Sequence, residues 1–237
     1  MSSRFTVTAT DISTFGRIVA KLENPDPTAD VRQQVIPDLA ALMKAEFCTS
    51  YIWDKRTGHS DRPVSNAMSS DALDLYTREF QFKDPITSRL RDVGVPATVG
   101  QVMPYPEFER TEFYNEFLRP QGMYRGINVF LFDGSRDLGD FRIWRTSALP
   151  DFDEREIGLL EALAPFLTRA LMATIDAPRL TKREQDVALL VARGCRDSDI
   201  ARILGIGFGT VRTHLNNAML KLGCANRAEL AALMSRR

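Results

Sequence analysis

Three glycines, Gly194, Gly205 and Gly223, cut residues 180–233 into short amphipathic segments, none long enough to be stable as an isolated helix. Their apolar faces must therefore be buried against one another. The first segment, LTKREQDVALLVARG, opens on Thr181 with Glu184 three residues later, the reciprocal pattern of a capping box. Val187, Leu190 and Val191 form its apolar face, and Gly194 suits the left-handed residue just past a helix end. Asp197 is placed to cap SDIARILG, which turns Ile200, Ala201 and Leu204 inward and stops at Gly205. A third helix is predicted over 208–222, with Val211, Leu215, Ala218 or Met219, and Leu222 on one stripe and Gly223 closing it. Asn226 with Glu229 repeats the capping pattern ahead of NRAELAALMS. The tight Gly205-Ile206-Gly207 link between the second and third helices describes a helix-turn-helix.

The charge distribution singles out the same segment. The chain has 31 basic and 31 acidic residues, yet residues 178–237 hold eleven basic and five acidic ones. The C-terminal segment thus carries six excess positive charges, and the rest carries six excess negative ones. Opposite signs point to two modules with different partners, and a compact basic module is a nucleic-acid candidate. Hydrophobic residues make up 44% and charged residues 26%, values of a folded chain, so whole-chain disorder is excluded. No apolar run is long enough for a membrane span, and MSSRFTVTATDIS has no apolar core of a secretory signal. Cys48, Cys195 and Cys224 lie far apart, without zinc or redox spacing, which fits a reducing cytoplasm. His59 and His214 are the two histidines, too few for a histidine-rich metal site.

The run L-T-x-R-E, A-R-G, D-I-A-x-x-L-G-I, T-V-R-T-H-L, K-L-G and N-R-A-E-L resembles the LuxR-type DNA-binding domain, in register over residues 180–233. Three positions depart from that pattern. Gly207 stands where a Ser or Thr usually caps the recognition helix, Gly209 where a longer polar side chain is common, and Asp199 where Glu is usual. A glycine cap costs only about a few tenths of a kcal/mol relative to serine. The resemblance implies that the third helix enters the major groove of double-stranded promoter DNA.

Opposite the apolar stripe, Thr210, Arg212, Thr213, Asn216, Asn217 and Lys221 are predicted to face outward. Arg212 can fork onto a guanine, and Asn216 can pair with an adenine. Thr210, Lys221, Lys182 and Arg202 suit phosphates. His214, Cys195 and Cys224 read as packed structural residues. One such domain makes few phosphate contacts, so a homodimer reading two half-sites is expected. Ala228, Leu230, Ala231 and Leu233 leave the last helix with apolar positions beyond its core's need, and the resemblance implies a dimer contact there. The helix predicted over 152–175 is apolar on two faces, one of Ile157, Leu160, Leu167 and Leu171, the other of Leu159, Leu163, Phe166 and Ala170. The second face serves either a twin subunit or the helix's own domain.

Upstream, helices are predicted over 11–23 and 28–47, the second interrupted by Pro37. A strand follows over 48–53, and 58–70 reads as loop. Helices are predicted over 70–80, over 84–93 opened by Asp84-Pro85, and over 105–119, with a short strand at 97–102. Residues 127–132 and 140–145 form a hairpin around DGSRDLG. The irregular mixture gives an α+β fold: an N-terminal α-β-α domain with a small antiparallel sheet, over 1–175, and an all-α four-helix domain over 176–237. The order is wrong for a phosphorylated receiver domain.

The layout looks like that of LuxR regulators with a GAF/PAS-like sensor domain. Among these, acyl-homoserine lactone receptors carry an Asp-Pro whose Asp binds a ligand amide. Asp84-Pro85 matches, but the later Trp position falls near Val99, the upstream Trp is missing, and Tyr76 is close without being in register. Tyr51, Trp53, Tyr76 and Asp84 are the candidate small-molecule contacts, with Asp84 equally readable as a helix cap. No GxSxG, HExxH, Walker or GxGxxG motif occurs, so neither an enzyme nor a cofactor site is expected. A ligand-independent dimerisation domain is the alternative to a sensor.

Overall fold

The structure, a computed structural model, describes residues 6–26, 29–176 and 180–235. Thr28, read as a helix start, and Ala177 and Pro178, read as part of the break between domains, lie outside them. The described residues fall into two compact units, one built mainly from Val31–Met172 together with the first helix, the other from Ala173 onward.

The first unit opens with α1 (Ala9–Glu23) and α2 (Val31–Leu42). Thr8 and Asp11 cap α1 reciprocally. Pro37 is accommodated inside α2. Strands β1 (Phe47–Asp54) and β2 (His59–Ser65) follow, then α3 (Ser70–Arg78), α4 (Thr87–Val93), the two-residue β3 (Ala97–Thr98), and single turns α5 (Val99–Val102) and α6 (Tyr105–Phe108). A π-helical turn spans Phe113–Leu118. The hairpin β4 (Arg125–Asp133) and β5 (Arg136–Arg145) precedes α7 (Glu154–Asp176). The five strands form one antiparallel sheet in the order β2-β1-β5-β4-β3.

Three local expectations need correction. Residues 58–70 contain strand β2 rather than loop alone. It is an edge strand, so HSDRPVS needs no apolar alternation, and its Pro63 is tolerated there. The register between β1 and β2 shifts near Tyr51, where Arg62 takes a positive φ of 51°. The strand expected over 97–102 ends at Thr98, because Thr98 and Gln101 form a capping box that starts α5. The helix expected over 105–119 breaks after Phe108, where the Thr111 hydroxyl donates to the Phe108 carbonyl at 2.7 Å.

Alternation along the strands sorts the sheet into two faces. Thr49, Tyr51, Asn128, Phe130, Arg142 and Trp144 share one face. There Tyr51, Phe130 and Trp144 join a core of Tyr76, Phe80, Phe108, Phe113, Phe117 and Met123. On α7, Leu159, Leu160, Leu163, Leu167, Ala170 and Leu171 are all buried. Both apolar faces of that helix are therefore largely used within the chain, and the sequence argument for a twin subunit on its second face falls. A buried ionic chain ties the ends of this unit. Arg145 donates to Glu156 at 2.9 Å, Arg155 donates to Glu156 at 2.8 Å, and Arg155 also reaches Asp11.

The second unit contains α8 (Lys182–Ala192), α9 (Asp197–Leu204), α10 (Phe208–Leu222) and α11 (Arg227–Met234). Val187, Ala188, Val191, Ile200, Val211, Leu215, Ala218, Leu230 and Met234 form its core. Gly205 and Gly223 end α9 and α10 with φ of 64° and 67°, where a β-carbon would be strained. Among the described residues no helix is long and apolar enough to cross a membrane.

Candidate functional site

In the first unit a cavity opens between the sheet and α3, α4 and the π-helical turn. Its empty volume is about 330 Å³ counting the mouth, and Tyr51, Tyr76, Asp84, Asn128, Arg142 and Trp144 are among its walls. The π-helical turn supplies Phe113, Phe117 and Leu118. Such turns recur at functional sites because they re-aim side chains.

Arg142 organises the polar side of the cavity. Its Nε and Nη2 donate to Asp140 Oδ2 at 3.0 and 2.7 Å, and Nη2 donates to Ser60 Oγ at 3.1 Å. Nη1 donates to the Tyr76 hydroxyl, which in turn donates to Asp84 Oδ2 at 2.9 Å. The guanidinium lies 4.5 Å from the Tyr51 ring centre and 4.9 Å from that of Tyr76. Burial opposes the charge on Arg142, but Asp140, Tyr76 and Asp84 outweigh it and hold the group firmly protonated. Burial pushes the Tyr51 and Tyr76 phenols well above their ordinary range, so both act as neutral hydroxyls.

Asp84 takes the cap role open to it in the sequence and also stands in the cavity wall. Its Oδ1 accepts the backbone N–H groups of Ile86 and Thr87 at 3.0 and 2.9 Å, as a cap at the start of α4. Its Oδ2 accepts the hydroxyls of Thr87 and Tyr76 at 2.6 and 2.9 Å. Four accepted bonds match the capacity of a carboxylate. Tyr51 and Tyr76 join Asp84 at the cavity, but Trp53 does not. Arg91 covers the Trp53 ring at 3.9 Å instead. Asn128 and Arg142 are cavity residues that the sequence did not single out.

In the second unit the helix-turn-helix presents one side of α10. Thr210, Arg212, Thr213, Asn216 and Asn217 are exposed, while Val211, Leu215 and Ala218 are buried. Gly207 occupies the cap position without a side-chain hydrogen bond. Lys182 is exposed at the start of α8, and Arg202 is exposed on α9. Lys221 differs from its expected role. Its ammonium donates to Glu184 Oε2 at 2.6 Å, and the Glu184 side chain is only 4% exposed. That carboxylate also accepts the Thr181 N–H at 2.7 Å. The bond from Lys221 and the capping bonds hold Glu184 below the usual carboxylate range. Lys221 thus binds α10 to α8 instead of standing free for a phosphate.

The profile of the luxR family of bacterial regulatory proteins matches residues 178–234. The C-terminal domain is a LuxR-family domain. The chain is 27% identical over 205 residues to the monoamine regulon transcriptional regulator of Klebsiella aerogenes, covering 84% of this chain and 86% of that one. Escherichia coli SdiA has a similar fold, with a TM-score of 0.53 at 19% identity, over 94% of this chain and 95% of that one. The GAF domain of an Acinetobacter phosphoenolpyruvate-protein phosphotransferase matches with a TM-score of 0.55 at 14% identity, over 74% of this chain and all of that one. The LuxR-family domain is thus preceded by a GAF-like fold of helices around an antiparallel sheet.

Proposed function

We propose that this LuxR-type transcriptional regulator reads DNA sequence through α10, senses a small molecule in the cavity of its GAF-like domain, and works as a homodimer. The observation that carries the DNA reading is the exposed strip of Thr210, Arg212, Thr213, Asn216 and Asn217 on one side of α10. An α-helix fits the major groove with its first turns at the base edges. Arg212 and Asn216 are the base readers in this proposal, and Thr210, Lys182 and Arg202 grip phosphates. Dimerisation supplies the second recognition helix that a palindromic site requires. α11, with Ala228 exposed and Ala231 and Leu233 half-buried, is the surface in this proposal that joins the two copies.

The sensing half is supported by the polar cluster at the cavity, which a merely structural core has no need to bury. A second structure with this fold, of SdiA, holds octanoyl-rac-glycerol. The test is footprinting of the full chain on genomic fragments. Arg212→Ala should weaken the specific footprint about tenfold or more while leaving non-specific retention on duplex DNA nearly unchanged. An unaltered footprint removes Arg212 from the readout.

A further inference from the structure

Among the polar groups on the cavity wall, one stands apart. Asp84 accepts four hydrogen bonds, and the Tyr76 hydroxyl both accepts and donates. The Thr49 hydroxyl donates to Ser65 Oγ at 3.1 Å. Asn128 is 1% exposed, and both its Nδ2 and its Oδ1 are buried without a hydrogen-bond partner. A carboxamide offers two donors and two acceptor lone pairs, and leaving them unmade in an apolar site is costly. The partner that would satisfy both atoms must come from within the cavity.

We infer that Asn128 is the anchor for a small flat ligand that presents a donor and an acceptor side by side, as on the edge of a lactam or a primary carboxamide. This rests on the reading of the cavity as a sensor site. Such an edge meets the Asn128 carboxamide with two parallel hydrogen bonds and satisfies both atoms at once. An open-chain secondary amide is trans, so its N–H and C=O point in opposite directions and only one of the two bonds forms. A carboxylate brings no donor to Oδ1. It also brings negative charge to a site where the two carboxylates of Asp84 and Asp140 face the single guanidinium of Arg142, whose donors are largely engaged. An ammonium brings no acceptor to Nδ2. The remaining walls, Tyr51, Phe113, Phe117 and Trp144, offer aromatic surface to a flat ring.

The test is calorimetric titration of the full chain with 2-quinolone, benzamide, benzoate, tyramine and N-butanoyl-homoserine lactone. The proposal expects 2-quinolone or benzamide to bind the wild type more tightly than the other three. It expects Asn128→Leu, checked for a cooperative melt, to lose about tenfold or more of that affinity. Asn128→Asp keeps the shape and the acceptors but not the amide donors, and should also weaken the lactam. Lactam binding that survives both substitutions, or tighter binding of benzoate, tyramine or the secondary amide, overturns the anchor while leaving the cavity a ligand site. If none of the five binds the wild type, the anchor falls together with the sensor reading in this form.

Discussion

Asn128 and Arg142 lie directly opposite each other on β4 and β5, facing the same cavity, yet only the arginine has its polar atoms paired. Cross-strand partners on one sheet face are close enough to share an environment. The neighbouring carboxylates face Arg142 and accept bonds from Tyr51, Tyr76, Ile86 and Thr87, and none of these bonds involves Asn128. In the unliganded protein Asn128 is therefore a liability that a purely structural sheet would not keep. Replacing it with leucine, which is close in shape, should raise the unfolding free energy by about 1–3 kcal/mol, the cost of a buried unmade polar group. Urea denaturation reads this as a higher midpoint at an unchanged slope. A lower midpoint would mean that the carboxamide has partners in the free protein.

Arg142 has the opposite character. Asp84 and Asp140 are each 2% exposed at their side chains, and Arg142 is the cation both of them face. Arg142→Met keeps the length of the side chain but leaves the two carboxylates without it. Breaking a buried ionic cluster at one partner costs about 3–5 kcal/mol. The same urea experiment should show that loss. A loss of under about 1 kcal/mol would mean that the cluster is wet enough to be screened.

Asp11 should give the fold a distinctive acid limit. Its carboxylate accepts the Thr8 N–H at 2.9 Å and a bond from Arg155, and these hold its pKa down to about 2 although burial opposes them. In the unfolded chain the group titrates near about 3.9. The lower value in the folded state means that the ionised form favours folding. Its stabilisation is complete above pH about 4 and is lost as the pH falls toward about 2. The difference in unfolding free energy between wild type and Asp11→Asn should be constant near neutrality and shrink steadily over that acid range. A difference independent of pH would remove Asp11 from the acid response.

What the sequence made legible follows from how local each signal is. The caps of α8 and α11 and the glycine stops Gly194, Gly205 and Gly223 act within one helical turn, so most of residues 180–233 could be read closely; the exception is Asp197, which lies inside α9 with Arg196 at the cap position. Asp84 announced itself by the adjoining Pro85. Asn128 and Arg142 did not, because a buried polar residue acquires its meaning from partners such as Tyr76 that the chain brings up from afar. A signal was present in DFRIWR: Asp140 and Arg142, two apart in a strand, must share a face, and two charges on one side of an otherwise apolar strand seldom lie idle. β2 escaped because an edge strand with a proline and a bulge lacks the alternation that marks its neighbours.

The two lysines that the sequence assigned to phosphates should behave differently. Lys182 is exposed, whereas the ammonium of Lys221 is held by Glu184 at 2.6 Å. Removing a phosphate-bound cation lowers the slope of log affinity against log salt by about 1. Lys182→Ala should do so and leave stability nearly untouched. Lys221→Met should leave the slope unchanged. It should instead destabilise the C-terminal domain by about 1–3 kcal/mol, because the buried Glu184 carboxylate keeps the bond from the Thr181 N–H but loses its cation. Titrations on duplex DNA at several salt concentrations, paired with thermal melts of both variants, separate the two outcomes. A reduced slope for Lys221→Met at unchanged stability would return that lysine to the DNA-facing set.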